Sequence, residues 1–259
     1  MFGKIMLRFF NLSIFLLLVF SFSGMALAGQ DPVVKAKLAR FFGVDADRIW
    51  LECSQDSFSL DEEDGQSVLN VCLREKDRKQ RCEISVHRLS LAPVVNHISF
   101  EFKHIDATRR SRWETLMQIH SFPDKGEKWR CPVAPLEIIN GTLRMMSRWD
   151  SSPMSQPVGY SCAGAGSTVS TREFIKDIPL IPGKWQKVDL ATKLSYKDDG
   201  TIRLKIDNKD SGLITGPNRY NDEKLPFVKF GIYKPTGWEK GHVSTCTRYR
   251  NVKIVSGDN

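Results

Sequence analysis

The sequence predicts an all-β fold, either a sandwich or a barrel. From residue 67 onward, most of the 259-residue chain consists of short segments in which apolar and polar residues alternate, the pattern of strands with one buried face. Turn signals such as Asn140–Gly141, Asp198–Gly200 and Gly216–Asn218 separate these segments. No repeat period or low-complexity linker is visible, so we expect a single all-β domain.

The chain begins with a stretch typical of an export signal. Lys4 and Arg8 precede a short apolar run, which ends in the small residues of Ala26–Ala28. The run is shorter than the ~20 residues that a membrane-spanning helix needs. We therefore predict a signal peptide over residues 1–28, no membrane anchor, a domain over residues 29–259, and a secreted or periplasmic protein.

One short helix is predicted directly after this stretch, over residues 31–43. Asp31 is a suitable N-cap, Pro32 suits the first turn, and Gly43 is a common helix end. The apolar stripe of this helix comprises Val34, Leu38, Phe41 and Phe42.

Strand signals dominate the remainder of the chain. The predicted strands cover residues 67–75, 81–89, 97–105, 113–122, 135–149, 184–196, 200–208, 227–234 and 249–256. Asn140–Gly141 also begins a glycosylation sequon, but between two apolar runs this dipeptide favours a two-residue hairpin turn.

The six cysteines fit an oxidising compartment. None of them has the C-x-x-C spacing typical of zinc or redox sites, so we expect disulfides, whose pairing the sequence leaves open. The cysteines are Cys53, Cys72, Cys82, Cys131, Cys162 and Cys246.

The net charge of +8 falls to +6 when Lys4 and Arg8 leave with the signal peptide. A basic exported protein suits an anionic partner, such as nucleic acid, a membrane surface or an acidic polysaccharide. The charges are scattered along the chain, so charge alone favours an ordinary soluble surface.

Three predicted strands carry polar side chains two positions apart, opposite apolar or cysteine neighbours. Their polar-face residues are Arg81, Glu83 and Ser85 on the first, Gln118 and His120 on the second, and Lys229, Gly231 and Tyr233 on the third. Side chains two apart share one face of a strand. If the three strands are neighbours in one sheet, a single surface displays all of these groups, and Gly231 leaves a gap where another molecule can approach closely.

Three short motifs on these strands, "RCEI", "QIH" and "FVKFGIY", resemble the ordered signatures of the β-jelly-roll polysaccharide lyases. That group includes alginate lyases, glucuronan lyases and the heparin lyase I type, and the resemblance extends from about Ser67 to Val255. It implies a β-jelly roll, a concanavalin A-like sandwich of two antiparallel sheets. Two departures are Cys82, where the alginate branch has Ser or Thr, and Phe227-Val228, which replaces Tyr-Phe.

The resemblance implies cleavage of a uronic-acid polymer by β-elimination and gives four residues catalytic roles. Arg81 and Gln118 stabilise the substrate carboxylate, as donors do in an oxyanion hole. His120 either joins them or acts as the base. Tyr233 is the acid and, in a syn elimination, also the base.

Three further residues are expected to bind substrate or support the site. Lys229 tunes or anchors the reacting groups, while the gap at Gly231 admits a sugar ring. Glu83 holds Arg81 or a neighbouring hydroxyl rather than taking part in catalysis, because an unpaired buried carboxylate is costly. Trp238 is the tryptophan we expect to stack on a sugar.

The expected partner is an anionic polysaccharide, not nucleic acid, and the expected state is a monomer without a metal or cofactor. Calcium dependence and the identity of the polymer stay open. The principal alternative is a non-catalytic, lectin-like carbohydrate-binding protein of the same fold. A glycoside hydrolase ranks last, because that chemistry needs two facing carboxylates and only Glu83 belongs to the constellation.

Overall fold

A computed structural model describes residues 31–106 and 112–257 as a sandwich of two antiparallel seven-stranded sheets with one short α-helix. The elements are α1 (Pro32–Phe42), β1 (Ile49–Leu51), β2 (Phe58–Glu63), β3 (Gln66–Arg74), β4 (Arg81–Val86), β5 (Asn96–Asp106), β6 (Trp113–His120), β7 (Ala134–Ile139), β8 (Thr142–Trp149), β9 (Ser170–Pro179), β10 (Gln186–Lys193), β11 (Thr201–Ile206), β12 (Lys209–Thr215), β13 (Phe227–Tyr233) and β14 (Ser244–Ser256). The two-sheet fold with an N-terminal helix is confirmed.

The front sheet has the strand order β1-β4-β13-β6-β7-β8-β9, and the back sheet has the order β12-β11-β10-β5-β14-β3-β2. Apolar side chains from both sheets fill the space between them. The ring of Phe230 from the front sheet lies 5.2 Å from that of Phe100 and 5.9 Å from that of Tyr249, both from the back sheet. The inward face of each strand is thereby fixed, and its other face points out of the sandwich.

The N-terminal helix has the predicted ends. The Asp31 carboxylate accepts hydrogen bonds from the backbone N–H groups of Val33 and Val34, and Gly43 ends the helix in the left-handed conformation at φ 63°. The ring of Phe42 packs 5.4 Å from that of Phe230. The helix therefore packs against the core, in contact with β1 of the front sheet and β14 of the back sheet.

Every predicted strand segment is present, and the segment 135–149 is a hairpin of β7 and β8. Asn140 and Gly141 form its turn, with φ of 49° and 81°. Four strands were not predicted, namely β1, β2, β9 and β12. All four are the edge strands of the two sheets. Edge strands carry more polar residues and bury less surface, which weakens the apolar alternation that predicts a strand.

The six cysteines form three disulfides, as predicted: Cys53–Cys82, Cys72–Cys246 and Cys131–Cys162. The disulfides fit an extracellular or periplasmic protein. The predicted signal peptide, residues 1–28, lies outside the described residues. Within the described part of the chain, no helix is long and apolar enough to span a membrane.

Candidate active site

The three strands that carry the motifs are neighbours, in the order β4-β13-β6 at the centre of the front sheet. Lys229 on β13 is paired with Ser85 on β4 and with Gln118 on β6. Tyr233 is paired with Arg81 at the far end of β13. The polar residues of all three motifs therefore meet on the outward face of one sheet.

Two adjoining cavities form a cleft over this face. The Lys229 cavity, of about 590 Å³, contains Lys229, and the Tyr233 cavity, of about 960 Å³, contains Gln118 and Tyr233. The two cavities share the side chains of Arg81, His120, Trp129 and Arg130. The cleft is large enough for a sugar ring and its neighbours.

Glu52, which the sequence did not single out, bridges the two predicted cations. Its Oε2 lies 2.8 Å from Nη1 of Arg81, and its Oε1 lies 2.5 Å from Nζ of Lys229. Burial by itself would raise the pKa of Glu52, but the Lys229 ammonium and the Arg81 guanidinium together lower it. Glu52 is therefore an anion that compensates both cations at the centre of the cleft.

Glu83 lies beneath these cations and is buried. Its Oε2 lies 3.3 Å from Nε of Arg81, and its Oε1 accepts a hydrogen bond from the Gln118 side-chain amide. Burial raises the pKa of Glu83, although Lys229 and Arg81 oppose the rise. Glu83 therefore contacts both Arg81 and Gln118 from below, the arrangement that a residue supporting them requires.

His120 is buried among aromatic rings. It stacks on Phe227 with ring centroids 5.7 Å apart, and its Nδ1 lies 2.9 Å from both the backbone N and the carbonyl O of Ser121. Burial, and then the charge of Lys229, lowers the pKa of His120 to about 3. The imidazole is therefore neutral at neutral pH. Phe227, the departure from the family motif, supplies the ring on which it rests.

Tyr233 is half-buried at the end of β13 and lines the Tyr233 cavity. The guanidinium carbon of Arg81 lies 4.1 Å from the centroid of its ring. Of the two cations considered from the sequence as a partner for this phenol, Arg81 is the one in contact with its ring.

The surroundings of Gly231 correct the sequence-based interpretation of why this position is a glycine. A Cβ at this position would lie 2.1 Å from the carbonyl oxygen of Cys82 and 2.8 Å from Cα of Glu83. The hydroxyl of Tyr249 also donates to the carbonyl oxygen of Gly231. The close neighbour that requires glycine is the backbone of β4, so the expectation that Gly231 leaves room for a sugar ring is wrong.

The tryptophans of the cleft differ in exposure. Trp238 lines the Tyr233 cavity but is half-buried, and its Nε1 donates to the carbonyl oxygen of Lys79. Trp129 and Trp50, which the sequence did not single out, are 62% and 51% exposed at the cleft. The ring of Trp129 lies 5.6 Å from that of His120. These two indoles offer more surface for stacking on a sugar than Trp238 does.

A cluster of carboxylates borders the cleft, and among the described residues it is the one group whose spacing suits a metal ion. Oxygen atoms of Asp124, Glu127 and Asp222 lie within 4.8 Å of one another. The Arg130 guanidinium binds two of these carboxylates, at 3.0 Å from Glu127 and 2.5 Å from Asp222. Because Arg130 lies between two of the three carboxylates and offsets part of their charge, we interpret the cluster as an ion-pair network that holds Arg130 in the cleft wall.

Comparison with known proteins relates this site to a family. The model of the polysaccharide lyase family matches residues 59–250, which include all three motifs. No curated protein sequence matches the chain.

Three solved structures share the fold at low identity. An endo-β-1,4-glucuronan lyase from the fungus Trichoderma reesei has a TM-score of 0.62 and 14% identity, over 79% of this chain and 89% of that chain. The alginate lyase AlyC3 has a TM-score of 0.54 and 14% identity, over 80% of each chain. The alginate lyase A1-II', a member of polysaccharide lyase family-7, has a TM-score of 0.53 and 12% identity, over 80% and 86%. These likenesses identify the sandwich as the jelly roll of such lyases.

Proposed function

Since this chain belongs to the polysaccharide lyase family, we propose that it cleaves a uronic-acid-containing polysaccharide by β-elimination. The observation that carries the proposal is the meeting of Arg81, Gln118, His120 and Tyr233 along one cleft. Arg81, Gln118 and Tyr233 have the donors and the phenol that this chemistry needs, and His120 adds a neutral imidazole.

In this reaction the C5 proton of a uronate leaves, its electron pair forms the C4=C5 double bond, and the C4–O4 bond breaks. The departing O4 then takes up a proton. Removal of the C5 proton adds negative charge to the neighbouring carboxylate. Arg81 and Gln118 are the donors that would stabilise this charge, and losing one such contact typically costs about 100- to 1000-fold in rate.

His120 and Tyr233 are the groups that would move protons. A neutral imidazole can accept the C5 proton or donate a hydrogen bond, whereas a cationic one could only donate. Tyr233 can protonate O4 and, in a syn elimination, first accept the C5 proton. The guanidinium of Arg81 lies against its ring, a cation–π contact that would hold the phenol in place for this transfer.

We further propose that the protein is exported and acts on glucuronan, heparin or heparan sulfate, or alginate outside the cytoplasm. The sequence resemblance in the C-terminal half favours the first two classes. The glucuronan lyase also has the highest TM-score of the three structures compared, 0.62. Glucuronan is therefore the first substrate to test.

A substrate panel tests the proposal. The protein is incubated with glucuronan, heparan sulfate, heparin and alginate, and the unsaturated product is followed by its ultraviolet absorbance. We expect product from at least one polymer. A folded protein that forms product from none of them would contradict the lyase proposal, and binding without cleavage would favour a lectin-like protein.

A further inference from the structure

A third cavity, of about 1010 Å³, lies between the C-terminal end of α1 and residues 224–226. We call it the Arg48 cavity. Part of its wall comes from residues 39–48, which precede the region matched by the family model. Its charged lining residues are Arg40, Asp45, Arg48, Arg88 and Lys224, together with His87.

The cations of this cavity are not compensated as those of the neighbouring cleft are. Arg40, Arg48, Arg88 and Lys224 are exposed, and among the described residues none of them forms an ion pair with a carboxylate. Asp45 is the one acid in the lining. The cavity therefore carries a surplus of positive charge that would attract an anionic ligand.

The Arg48 cavity continues into the Lys229 cavity. His87 and Phe122 line both, and Phe227 stacks on His87 with ring centroids 4.8 Å apart. Burial lowers the pKa of His87, and the charges of Arg48 and Lys229 lower it further. One connected surface thus leads from the candidate active site to the positively charged wall beside α1.

The wall contributed by the N-terminal segment is held in place. The backbone N–H of His87 donates to the carbonyl oxygen of Arg48 at 2.9 Å, and the Arg88 guanidinium donates to the carbonyl oxygen of Gly43 at 2.5 Å. Leu38 and Phe42 of α1 are buried in the core. A preformed wall binds a ligand without an additional cost of ordering.

We propose that the Arg48 cavity is an additional subsite, built by the N-terminal segment, for acidic sugar units on one side of the reacting unit. Arg48 and Lys224 bind the carboxylate or sulfate groups of these units, while Phe122 and the exposed Leu225 contact their apolar ring faces. The identity of the ligand rests on the proposed function, but the site itself is defined by its own charges.

The test measures how affinity depends on chain length. Calorimetry on the Tyr233→Phe protein measures the binding of short and long oligomers of glucuronic acid. The same series with heparin-derived oligosaccharides separates recognition of carboxylate groups from recognition of sulfate groups. The same measurement is made after adding Arg48→Gln with Lys224→Gln. The matched control adds Lys209→Gln with Lys253→Gln, which removes two exposed cations from the back sheet.

We expect the Arg48/Lys224 variant to bind long oligomers roughly threefold to tenfold more weakly, at low salt, than the control. Equal binding by the two variants would overturn the subsite, and so would a protein that binds no acidic oligomer. Cleavage on the substrate panel is read separately on the wild type. A protein that cleaves none of the polymers but loses long-chain affinity in the Arg48/Lys224 variant would contradict the lyase proposal and keep the subsite.

Discussion

The outward faces of the two sheets carry similar polar residues in very different surroundings. On the back sheet, outward side chains such as Lys187 and Asp189 form partly exposed ion pairs, as on any solvated strand. On the front sheet, outward residues such as Glu83, Gln118 and Lys229 are almost completely buried. The central strands of the front sheet are therefore covered on both faces, and those of the back sheet on one.

The cover comes from segments outside the central strands. The N-terminal segment contributes Trp50 and Glu52, and the connection between β6 and β7 contributes Trp129 and Arg130. Alternation along a strand selects which residues point outward. Whether these residues form a site depends on the walls built around them.

The largest expected effect is that of removing the hydroxyl group of Tyr233. If the outward face of the front sheet is catalytic, Tyr233→Phe should lower kcat on the cleaved polymer by about 1000-fold, because it removes the proton-transferring group. Steady-state kinetics measures the change. The control is Tyr160→Phe at the same cavity, which removes only a hydrogen bond to the carbonyl oxygen of Pro235. Equal losses in the two variants would deny Tyr233 a special role.

The next effect concerns the close packing of β4 and β13. Gly231→Ala forces a Cβ against the backbone of Cys82 at a positive φ, so we expect the free energy of unfolding to fall by roughly 3 kcal/mol. Urea denaturation measures it. Gly141→Ala is the control, because it also has a positive φ but open space around it. A loss as small as that of the control would show that the strands can separate without cost.

The burial of His120 predicts a pH dependence of stability. An unfolded histidine has a pKa of about 6.5, whereas that of folded His120 is about 3. Between these values the unfolded chain binds one proton more than the folded chain. The free energy of unfolding therefore falls by about 1.4 kcal/mol for each pH unit as the pH is lowered. His120→Asn should remove this slope from denaturation curves between about pH 6 and 4.5. His97→Asn, at an exposed position on the back sheet, is the control, and an unchanged slope in His120→Asn would mean that the imidazole is solvated.

The smallest effect compares one ion pair from each face. Glu52→Gln removes the half-buried anion nearest to Arg81 and Lys229 and leaves them with the buried Glu83. It should lower the free energy of unfolding by about 1–2 kcal/mol. Asp210→Asn on the back sheet breaks an exposed pair with Arg203 and should cause no measurable change. Chemical denaturation compares the two variants. Equal effects would remove the distinction between the faces.

Much of the fold follows from strand alternation, and its limits follow from the sheet edges. Every predicted strand segment is present, because the central strands bury at least one apolar face. The missed strands β1, β2, β9 and β12 are the four edges, where polar and charged residues are frequent. Sequence patterns therefore located the centre of each sheet better than its borders.

The residues of the candidate site likewise fall into a group that the sequence could predict and a group that it could not. Gln118 and Lys229 could be predicted because a strand fixes the direction of each side chain. Glu52 and Trp129 could not, because they lie outside strands, where no periodicity links position to direction. The Cys53–Cys82 disulfide places Glu52 beside β4, and the sequence left that pairing open.

The N-terminal wall also affects how the protein should be produced. A chain started at residue 59, where the match to the family begins, would retain all three motifs. It would lack the disulfide partner of the buried Cys82, the anion shared by Arg81 and Lys229, and the helix that covers Phe230. Domain boundaries drawn from family similarity alone would thus truncate the cleft, and an inactive product of such trimming would be no measure of the native protein.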